Sequence, residues 1–374
     1  MGAEHGKGSM RQVSTRTYPS RPDYWLLAVT FALLVIGLIS VYSAAMSVDP
    51  DNPSRLLTRQ ITWAVIGCVV MVVVARTDYH RWQLYTLPFL VLAVIALFVV
   101  LVAGIDVFGS RRWFFHGSVQ PSELMKVALV IYVAYWLSTK GDEIKKATYG
   151  LVPFSVLVGF VTALIVLQPD FSTAMLIATV AMTMFFVAGA DVWQMAATAT
   201  MGLATAALLV LTSQYRLARV LTFRESLRDP LNAGYHVRQT IIALGSGGLA
   251  GRGLGSGVLK FGHLPAVHTD SIFAVVGEEL GFIGCALIIV LFALLAWRGF
   301  RIALQAQDSF GAFLASGLIC LLIAQASINI AVATATLPFA GVPLPFISFG
   351  GSSLIVSLAS IGIIFNVSGH RLEA

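Results

Sequence analysis

The sequence predicts an all-α integral membrane protein that crosses the bilayer about ten times, with both termini on the cytoplasmic side. The chain of 374 residues is 57% hydrophobic and only 11% charged, whereas soluble domains carry about 25% charged residues. Apolar segments near the ~20 residues that a membrane helix needs recur along its whole length. Lipid must therefore be the solvent for most of this chain.

Residues 23–374 are predicted to form one membrane domain, and polar residues 1–22 a disordered cytoplasmic tail. Cys68, Cys285 and Cys320 fall inside predicted spans, where packing is their expected role. The predicted spans are 24–46, 57–75, 84–103, 122–137, 151–167, 172–188, 193–212, 272–297, 312–334 and 344–366.

Basic residues fall in alternate connections between these spans, which sets the orientation under the positive-inside rule. They are Lys7, Arg11, Arg16, Arg21, Arg76, Arg81, Lys140, Lys145, Lys146, Arg298, Arg301 and Arg371. Orientation and anionic membrane lipid account for the net charge of +6, so no nucleic-acid partner is needed. The connection between the seventh and eighth spans, about 213–270, is then a large extracytoplasmic loop.

This loop contains two unusual stretches. In residues 213–228, arginines alternate with apolar side chains, which fits either an amphipathic helix in the headgroup region or a solvated surface helix. Residues 245–257 include seven glycines. They lack the Gly-Lys-Ser/Thr ending of a nucleotide P-loop, and a flexible loop is favoured over a phosphate cradle.

Asp270 is the candidate catalytic acid, since it stands at the mouth of the eighth span after His268 and Thr269. A carboxylate there can act as a general base, although the spacing alone favours a helix N-cap. His268 is predicted to form a hydrogen bond beside it rather than to bind a metal, and no tightly bound metal is expected. Glu278 and Glu279 follow within the span, where charged side chains normally mark a cavity or an ion pair.

Three further charged residues open predicted spans. Glu123 and Lys126 share a helix face, so they form either an internal ion pair or a cationic face towards bound phosphate. Asp170 follows Gln168-Pro169 and is predicted to cap the next helix on the side where Asp270 lies.

The remaining candidates are arginines and a serine near the same outer side. Arg111 and Arg112 could hold phosphates or anchor the chain at the interface, and interfacial anchoring is favoured slightly. Ser348 and Ser352, near the top of the last span, are expected to pack among small residues or to donate a hydrogen bond to substrate.

Seven sequence motifs in order resemble those of the SEDS family (shape, elongation, division and sporulation), which includes the FtsW and RodA proteins. The motifs, which extend over nearly everything after the tail, are Gly109-Ser-Arg-Arg-Trp113, Gln120-Pro-Ser-Glu-Leu-Met-Lys126, Gln168-Pro-Asp170, Ala233-Gly-Tyr235, the glycine run 245–257, His268-Thr-Asp270 with Gly277-Glu-Glu-Leu-Gly281, and Leu344-Pro-Phe-Ile-Ser-Phe-Gly-Gly-Ser-Ser353.

The resemblance implies a peptidoglycan glycosyltransferase that polymerises lipid II on the outer face of the bacterial cytoplasmic membrane, releasing undecaprenyl diphosphate. It implies a class B penicillin-binding protein as the crosslinking partner and Asp270 as the essential acid. It also favours Glu123, Lys126 and Asp170 as site residues. Arg111, Arg112, His268 and Ser352 complete the predicted substrate-binding set, with no tightly bound cofactor but with room for a loosely bound Mg²⁺ or Mn²⁺.

The chain departs from the family pattern at Ala266, where glutamate is usual, and at Ser271, where phenylalanine is usual. The versions of the motifs at 276–278 and 346–348 favour the division branch. Two other functions remain open from the residues: a flippase for a lipid-linked sugar, whose acids would relay protons, and a scaffold without catalysis. The acids cluster on the outer side in the predicted topology, which suits extracytoplasmic chemistry better than a midplane transport site.

Overall fold

The computed structural model describes residues 22–48, 51–107, 110–113, 119–228, 234–262 and 264–370, with the backbone alone for 105–107, 110–112, 142 and 226–228. The predicted tail, apart from Pro22, lies outside these residues. The described part is helical apart from one short hairpin and the connecting turns. The hairpin was not predicted; its strands β1 (Ile105–Val107) and β2 (Ser110–Trp113) pair antiparallel between the third and fourth helices.

Twelve α-helices are found in the described residues, together with a short 3-10 helix (Gly141–Lys145) and a short π-helix (Ala147–Leu151) between the fourth and fifth of them. They are α1 (Tyr24–Val48), α2 (Ser54–Ala75), α3 (Arg81–Ala103), α4 (Pro121–Lys140), α5 (Val152–Leu167), α6 (Phe171–Val187), α7 (Val192–Leu211), α8 (Gln214–Arg228), α9 (Tyr235–Ser246), α10 (Ile272–Leu304), α11 (Ser309–Ala333) and α12 (Gly351–Ser368).

Each predicted span coincides with a helix in the described residues. Eight helices in the described residues are long and apolar enough to cross a membrane, and α6 is a shorter apolar helix of 17 residues. Together with α4, they account for each of the ten predicted spans. Such helices are apolar on most sides because lipid, as well as the protein interior, surrounds them.

The beginning of the last span was predicted wrongly. Residues 344–350 were assigned to it, but α12 begins only at Gly351. Phe346 has a left-handed φ of 65°, which a continuous α-helix cannot contain. We call the connection between α11 and α12, residues 334–350, the C-terminal loop.

The centre of the bundle is formed by α4, α11 and α12, each of which buries a large share of its residues. α12 packs against α2 and α11, and α11 packs against α4, α6 and α10. By contrast, α7 has no buried residue and packs against α6 and α8 at the edge of the bundle. The central helices therefore give the polar side chains at their ends a rigid support.

The glycine run, residues 245–257, packs on α10 and is not the flexible loop that the sequence favoured. Gly281 (φ 65°, ψ −161°) interrupts α10 and frees backbone groups on both sides of the break. The glycine loop satisfies them: its N–H groups at 252 and 253 donate to the carbonyls of Glu278 and Glu279, and its carbonyls at 248 and 249 accept from the N–H groups of 282 and 283. Buried backbone groups need such partners, so this loop is part of the packed structure.

Candidate functional site

Asp270 lies in the turn, residues 264–271, that leads into α10, and its side chain is partly buried. We call this segment the Asp270 turn. The N-cap residue of α10 is Ser271, not Asp270, and its side chain makes no capping hydrogen bond. The N-cap role that spacing favoured for Asp270 is therefore not observed. A Cβ placed on Gly341 of the C-terminal loop would lie 3.7 Å from Asp270 Oδ2, so the carboxylate faces this loop at van der Waals distance.

The C-terminal loop and α11 together hold the backbone of the Asp270 turn at three consecutive carbonyls. The N–H of Phe349 donates to the carbonyl of His268 at 2.8 Å, and Ser348 Oγ donates to the carbonyl of Thr269 at 2.7 Å. Asn329 Nδ2, from α11, donates to the carbonyl of Asp270 at 3.2 Å and to that of Val342 at 2.8 Å. The position of Asp270 is thus set by residues more than fifty positions away in sequence.

Glu123 and Lys126 form the internal ion pair, the first of the two alternatives that their spacing allowed. Lys126 Nζ lies 2.8 Å from Glu123 Oε1 and 2.9 Å from Gln325 Oε1, and both charged side chains are almost fully buried. Gln325 Nε2 in turn donates to the carbonyl of Pro343 at 3.0 Å. The ion pair therefore supports the C-terminal loop through Gln325.

Asp170 and Ser352 meet at Gln120. Gln120 Nε2 donates to Asp170 Oδ2 at 3.0 Å, and the N–H of Gln120 donates to Ser352 Oγ at 3.3 Å. Asp170 Oδ1 accepts from the N–H of Thr173 at 3.2 Å, which is the predicted N-cap of α6. Three helix beginnings, those of α4, α6 and α12, are joined in this way.

His268 packs edge-on against Phe349, with ring centroids 5.5 Å apart, and its Nδ1 is buried without a hydrogen-bond partner. Burial lowers the pKa of His268, so the ring is neutral near pH 7. No hydrogen bond from the ring to Asp270 is observed, and the hydrogen-bonding role predicted for His268 stays a prediction. Arg59 lies over the ring of Phe349, with its guanidinium carbon 5.7 Å from the ring centre.

Arg111 and Arg112 lie on β2, which packs near α3 and α4. Their side chains are outside the described residues, so their phosphate-binding role stays a prediction. In the parts of the chain that the structure describes, no three His, Cys, Asp or Glu side chains come together as a metal site would require.

Several supporting residues were not predicted. Gln325 and Asn329 are amides four residues apart on α11, and polar side chains at helical spacing in an apolar span are a signal that could have found them. Gln60 of α2 is a third amide that bonds the C-terminal loop. Its Nε2 lies 3.3 Å from the carbonyl of Ser348, and its Oε1 accepts from the N–H of Gly350 at 3.4 Å. Arg59 gave no comparable signal.

These features define a polytopic helical membrane protein whose polar site is assembled from the beginnings of α4, α6, α10 and α12. The chain belongs to the FtsW/RodA/SpoVE family: the family model, described as "Cell cycle protein", matches residues 24–373. This finding agrees with the resemblance that the motifs carry.

Known relatives agree over nearly the whole chain. A protein named "Probable peptidoglycan glycosyltransferase FtsW" from Geobacter metallireducens is 41% identical over 93% of this chain and 95% of its own length. Stage V sporulation protein E of Bacillus subtilis is 40% identical over 95% of this chain and 99% of its own.

Among solved structures, a chain in "Structural coordination of polymerization and crosslinking by a peptidoglycan synthase complex" is 29% identical, with a TM-score of 0.76, over 94% of this chain and 99% of its own length. The rod shape determining protein RodA of Thermus thermophilus is 27% identical, with a TM-score of 0.71, over 94% of this chain and 98% of its own.

Proposed function

We propose that the protein is a peptidoglycan glycosyltransferase that polymerises lipid II, with Asp270 as the general base. The relatives named as peptidoglycan glycosyltransferases match at about 40% identity over nearly the whole chain. The observation that carries the role of Asp270 is the fixing of its turn, at three successive carbonyls, by the C-terminal loop and Asn329. A base must be held in place to act, and proteins build such support around catalytic groups.

In the proposed reaction, Asp270 takes the proton from the 4-hydroxyl of the acceptor N-acetylglucosamine of lipid II. The oxygen then attacks the anomeric carbon of the growing chain, and the bond from that carbon to undecaprenyl diphosphate breaks. The attack inverts the α-linked donor to a β-linked polymer. Asp270 carries the proton away, and the negative charge develops on the leaving diphosphate.

That developing charge needs cations or oriented N–H groups. Arg111 and Arg112 are the candidates from the sequence, and Arg59 is added by its place beside Phe349. Lys126 is engaged by Glu123 and Gln325, which gives it a supporting role beneath the C-terminal loop. A Mg²⁺ or Mn²⁺ ion held loosely with the diphosphate would add positive charge, and no step above depends on it.

The proposed function also implies a membrane topology and a location for the site. All ten apolar helices, α1 to α7 and α10 to α12, cross the bacterial cytoplasmic membrane, with both chain ends inside and residues 213–270 outside. The beginnings of α4, α6, α10 and α12 then face outwards, where lipid II is polymerised. A class B penicillin-binding protein is the proposed partner, a choice supported by the match to a chain of a peptidoglycan synthase complex.

The test is polymer formation from purified lipid II in detergent, with and without the cognate class B partner. Asp270→Asn should lower the rate about 10²–10⁴-fold, the usual contribution of a general base, while leaving the protein folded. Asp191→Asn is the matched control, because Asp191 only caps the beginning of α7. It should polymerise normally.

Either of two results would change the proposal. If Asp270→Asn polymerises as wild type does, Asp270 is not the base. If wild type forms no polymer even with its partner, a flippase or a scaffold replaces the glycosyltransferase, because neither of these makes polymer in detergent.

A further inference from the structure

A second buried charge cluster lies at the break in α10, and the proposed reaction does not use it. Lys260 and Glu279 are 1% and 2% exposed, and Glu278 is fully buried. Removing charges from water is expensive in any protein, and ionisable groups in the interior of a membrane protein usually mark a functional element. This cluster therefore needs an explanation of its own.

Lys260 and Glu279 form a fully bonded ion pair with Ser43 of α1. Lys260 Nζ donates to Glu279 Oε1 at 2.7 Å, to Ser43 Oγ at 2.8 Å and to the carbonyl of Gly255 at 2.9 Å. Ser43 Oγ donates to Glu279 Oε1 at 2.5 Å. Each of the three ammonium hydrogens therefore has an acceptor, which is the arrangement that makes a buried pair tolerable.

The neighbouring Glu278 fastens the end of the glycine loop to α10. Its Oε1 accepts from the N–H of Val258 at 2.8 Å and of Leu259 at 3.2 Å, and Arg252 lies 3.8 Å from the same oxygen. The side chains of Glu278 and Glu279 therefore hold residues 258–260. Their main-chain carbonyls hold residues 252 and 253.

Lys260 and Glu279 also stand at the two ends of the segment that carries Asp270. Asp270 lies ten residues after Lys260 and nine residues before Glu279. Between them the chain folds back on itself: the N–H of Leu264 donates to the carbonyl of Leu259, and the N–H groups of Thr269 and Ser271 donate to that of Ala266. The ion pair closes this segment at its base, and Ser43 ties the closed segment to α1.

We propose that Lys260 and Glu279, bridged by Ser43, are positioning residues that fix Asp270 for its reaction by closing the 260–279 segment against α1. None of the three needs to touch substrate. The C-terminal loop holds the Asp270 turn from one side, and the ion pair holds the ends of the same segment from the other. The inference rests on the proposed glycosyltransferase activity for its kinetic consequences, but its structural content can be measured without any activity.

Ser43→Ala is the mildest test, because it removes the bridge and leaves both charges in place. We expect kcat for polymerisation to fall about tenfold with KM for lipid II unchanged, and amide hydrogen exchange in residues 258–271 to rise. Ser47→Ala is the matched control one turn further along α1. Ser47 Oγ donates only to the carbonyl of Ala44, so this variant should keep both the wild-type rate and the wild-type exchange.

Charge removal separates positioning from general stability. Glu279→Gln leaves the buried Lys260 without its counter-ion, and it should lower both thermal stability and kcat, the latter on the order of 10²-fold, since a misplacement of about 1 Å costs that much. The double variant Lys260→Met/Glu279→Gln removes both charges and should regain thermal stability. Its exchange in residues 258–271 stays high and its kcat stays low.

The matched control for losing a charge is Glu143→Gln, which breaks the exposed pair that Lys140 and Glu143 form at 3.7 Å. It should change none of these measurements. If the double variant regains wild-type kcat together with stability, the pair is only structural and the proposal is overturned. If exchange in residues 258–271 is unchanged in every variant, the pair does not order the segment and the proposal also fails. Lack of polymer from wild type would instead refute the proposed function.

Discussion

At the scale of single residues, Asn329 is the side chain through which α11 controls Asp270. Its amide nitrogen donates to the carbonyls of Asp270 and Val342, and the residue is 2% exposed. A buried carbonyl that loses its donor costs about 1–3 kcal/mol. Asn329→Ala should therefore lower the free energy of unfolding and also reduce kcat for polymerisation, because the backbone at Asp270 is released.

Asn366→Ala is the matched control for Asn329→Ala. Asn366 donates to the carbonyl of Ala75 at 2.8 Å and accepts from the N–H of Tyr79 at 2.9 Å, at the end of the bundle opposite to Asp270. We expect similar losses of melting temperature in the two variants, with kcat per folded molecule reduced only in Asn329→Ala. Equal kcat values would mean that Asn329 contributes to folding alone.

His236 gives the site a dependence of stability on pH. Its Nε2 lies 3.2 Å from Ser271 Oγ, next to Asp270, and that hydroxyl donates to the carbonyl of Pro265 at 2.7 Å. Burial, aided by the charge of Arg219, lowers the pKa of His236 to about 4. Between pH ~6.5 and about 4 the unfolded chain binds a proton that the folded chain does not.

The free energy of unfolding should therefore fall as pH falls through this window, and the contribution of His236 should be complete above pH ~6.5. Melting temperatures of the detergent-solubilised protein at pH 7.5 and pH 5 measure the effect. His236→Gln cannot take up the proton, so its melting temperature should change less between the two pH values. An equal change in wild type and variant would show that His236 does not contribute.

At the scale of elements, the contact between the glycine loop and the break in α10 depends on space at particular glycines. Gly251 and Gly255 have nearly the same left-handed φ, 80° and 81°. A Cβ on Gly251 would overlap the carbonyl group of Glu279, whereas a Cβ on Gly255 would meet no atom within 4 Å. Alanine substitutions at these two glycines therefore separate the effect of backbone strain from the effect of close packing.

Both Gly251→Ala and Gly255→Ala should show the strain of a left-handed alanine, about 1–2 kcal/mol. Only Gly251→Ala should also push the loop away from α10, expose the backbone groups at residues 252 and 253 and reduce polymerisation. Thermal melting and limited proteolysis within residues 245–262 measure the two effects. If both variants behave alike, close packing at Gly251 is not needed.

The glycine loop and the beginning of α12 are two elements whose structure could not be predicted from the sequence. Hydropathy predicted the ten long helices that coincide with the proposed spans, because transfer into lipid depends on composition over about twenty residues. It gave no sign of α9, which is short and lies in the connection between them. It could not find the beginning of α12, since residues 344–350 are apolar but have a backbone that Phe346 turns out of the helix. Similarly, glycine density indicated freedom in residues 245–257, whereas a partner distant in sequence, α10, fixes them.

Which residues make up the site stays a prediction. Charge at the beginnings of apolar helices singled out Asp270, Asp170, Glu123 and Lys126, and the family resemblance then favoured them as site residues. Asp170 capping α6 and the Glu123–Lys126 ion pair were both among the expected roles. The residues that join them, Gln120, Gln325 and Asn329, act between helices, and local spacing does not report such contacts.

At the scale of the whole molecule, the alternating direction of the helices gathers the site at one end of the bundle. The chain enters α4, α6, α10 and α12 from that end, where Gln120, Asp170 and Asp270 lie. The opposite end carries the basic residues predicted to face the cytoplasm, in residues 76–81 and 140–146 and at 298–301. The last of these groups lies within α10, which continues to Leu304 beyond the predicted end of the span at residue 297. In the proposed orientation, these basic residues face the cytoplasm under the positive-inside rule, and the end that carries Asp270 faces outwards.

This orientation can be tested with two exposed glutamates on opposite ends, Glu225 in α8 and Glu143 after α4. Each is changed to cysteine in a chain whose Cys68, Cys285 and Cys320 have been replaced by alanine. A membrane-impermeant maleimide should label Glu225→Cys on intact spheroplasts, and Glu143→Cys only after the membrane is opened. The reverse pattern would put Asp270 on the cytoplasmic side, where it could not extend a glycan outside the membrane. The proposed polymerase would then be excluded whatever the chemistry of its acids.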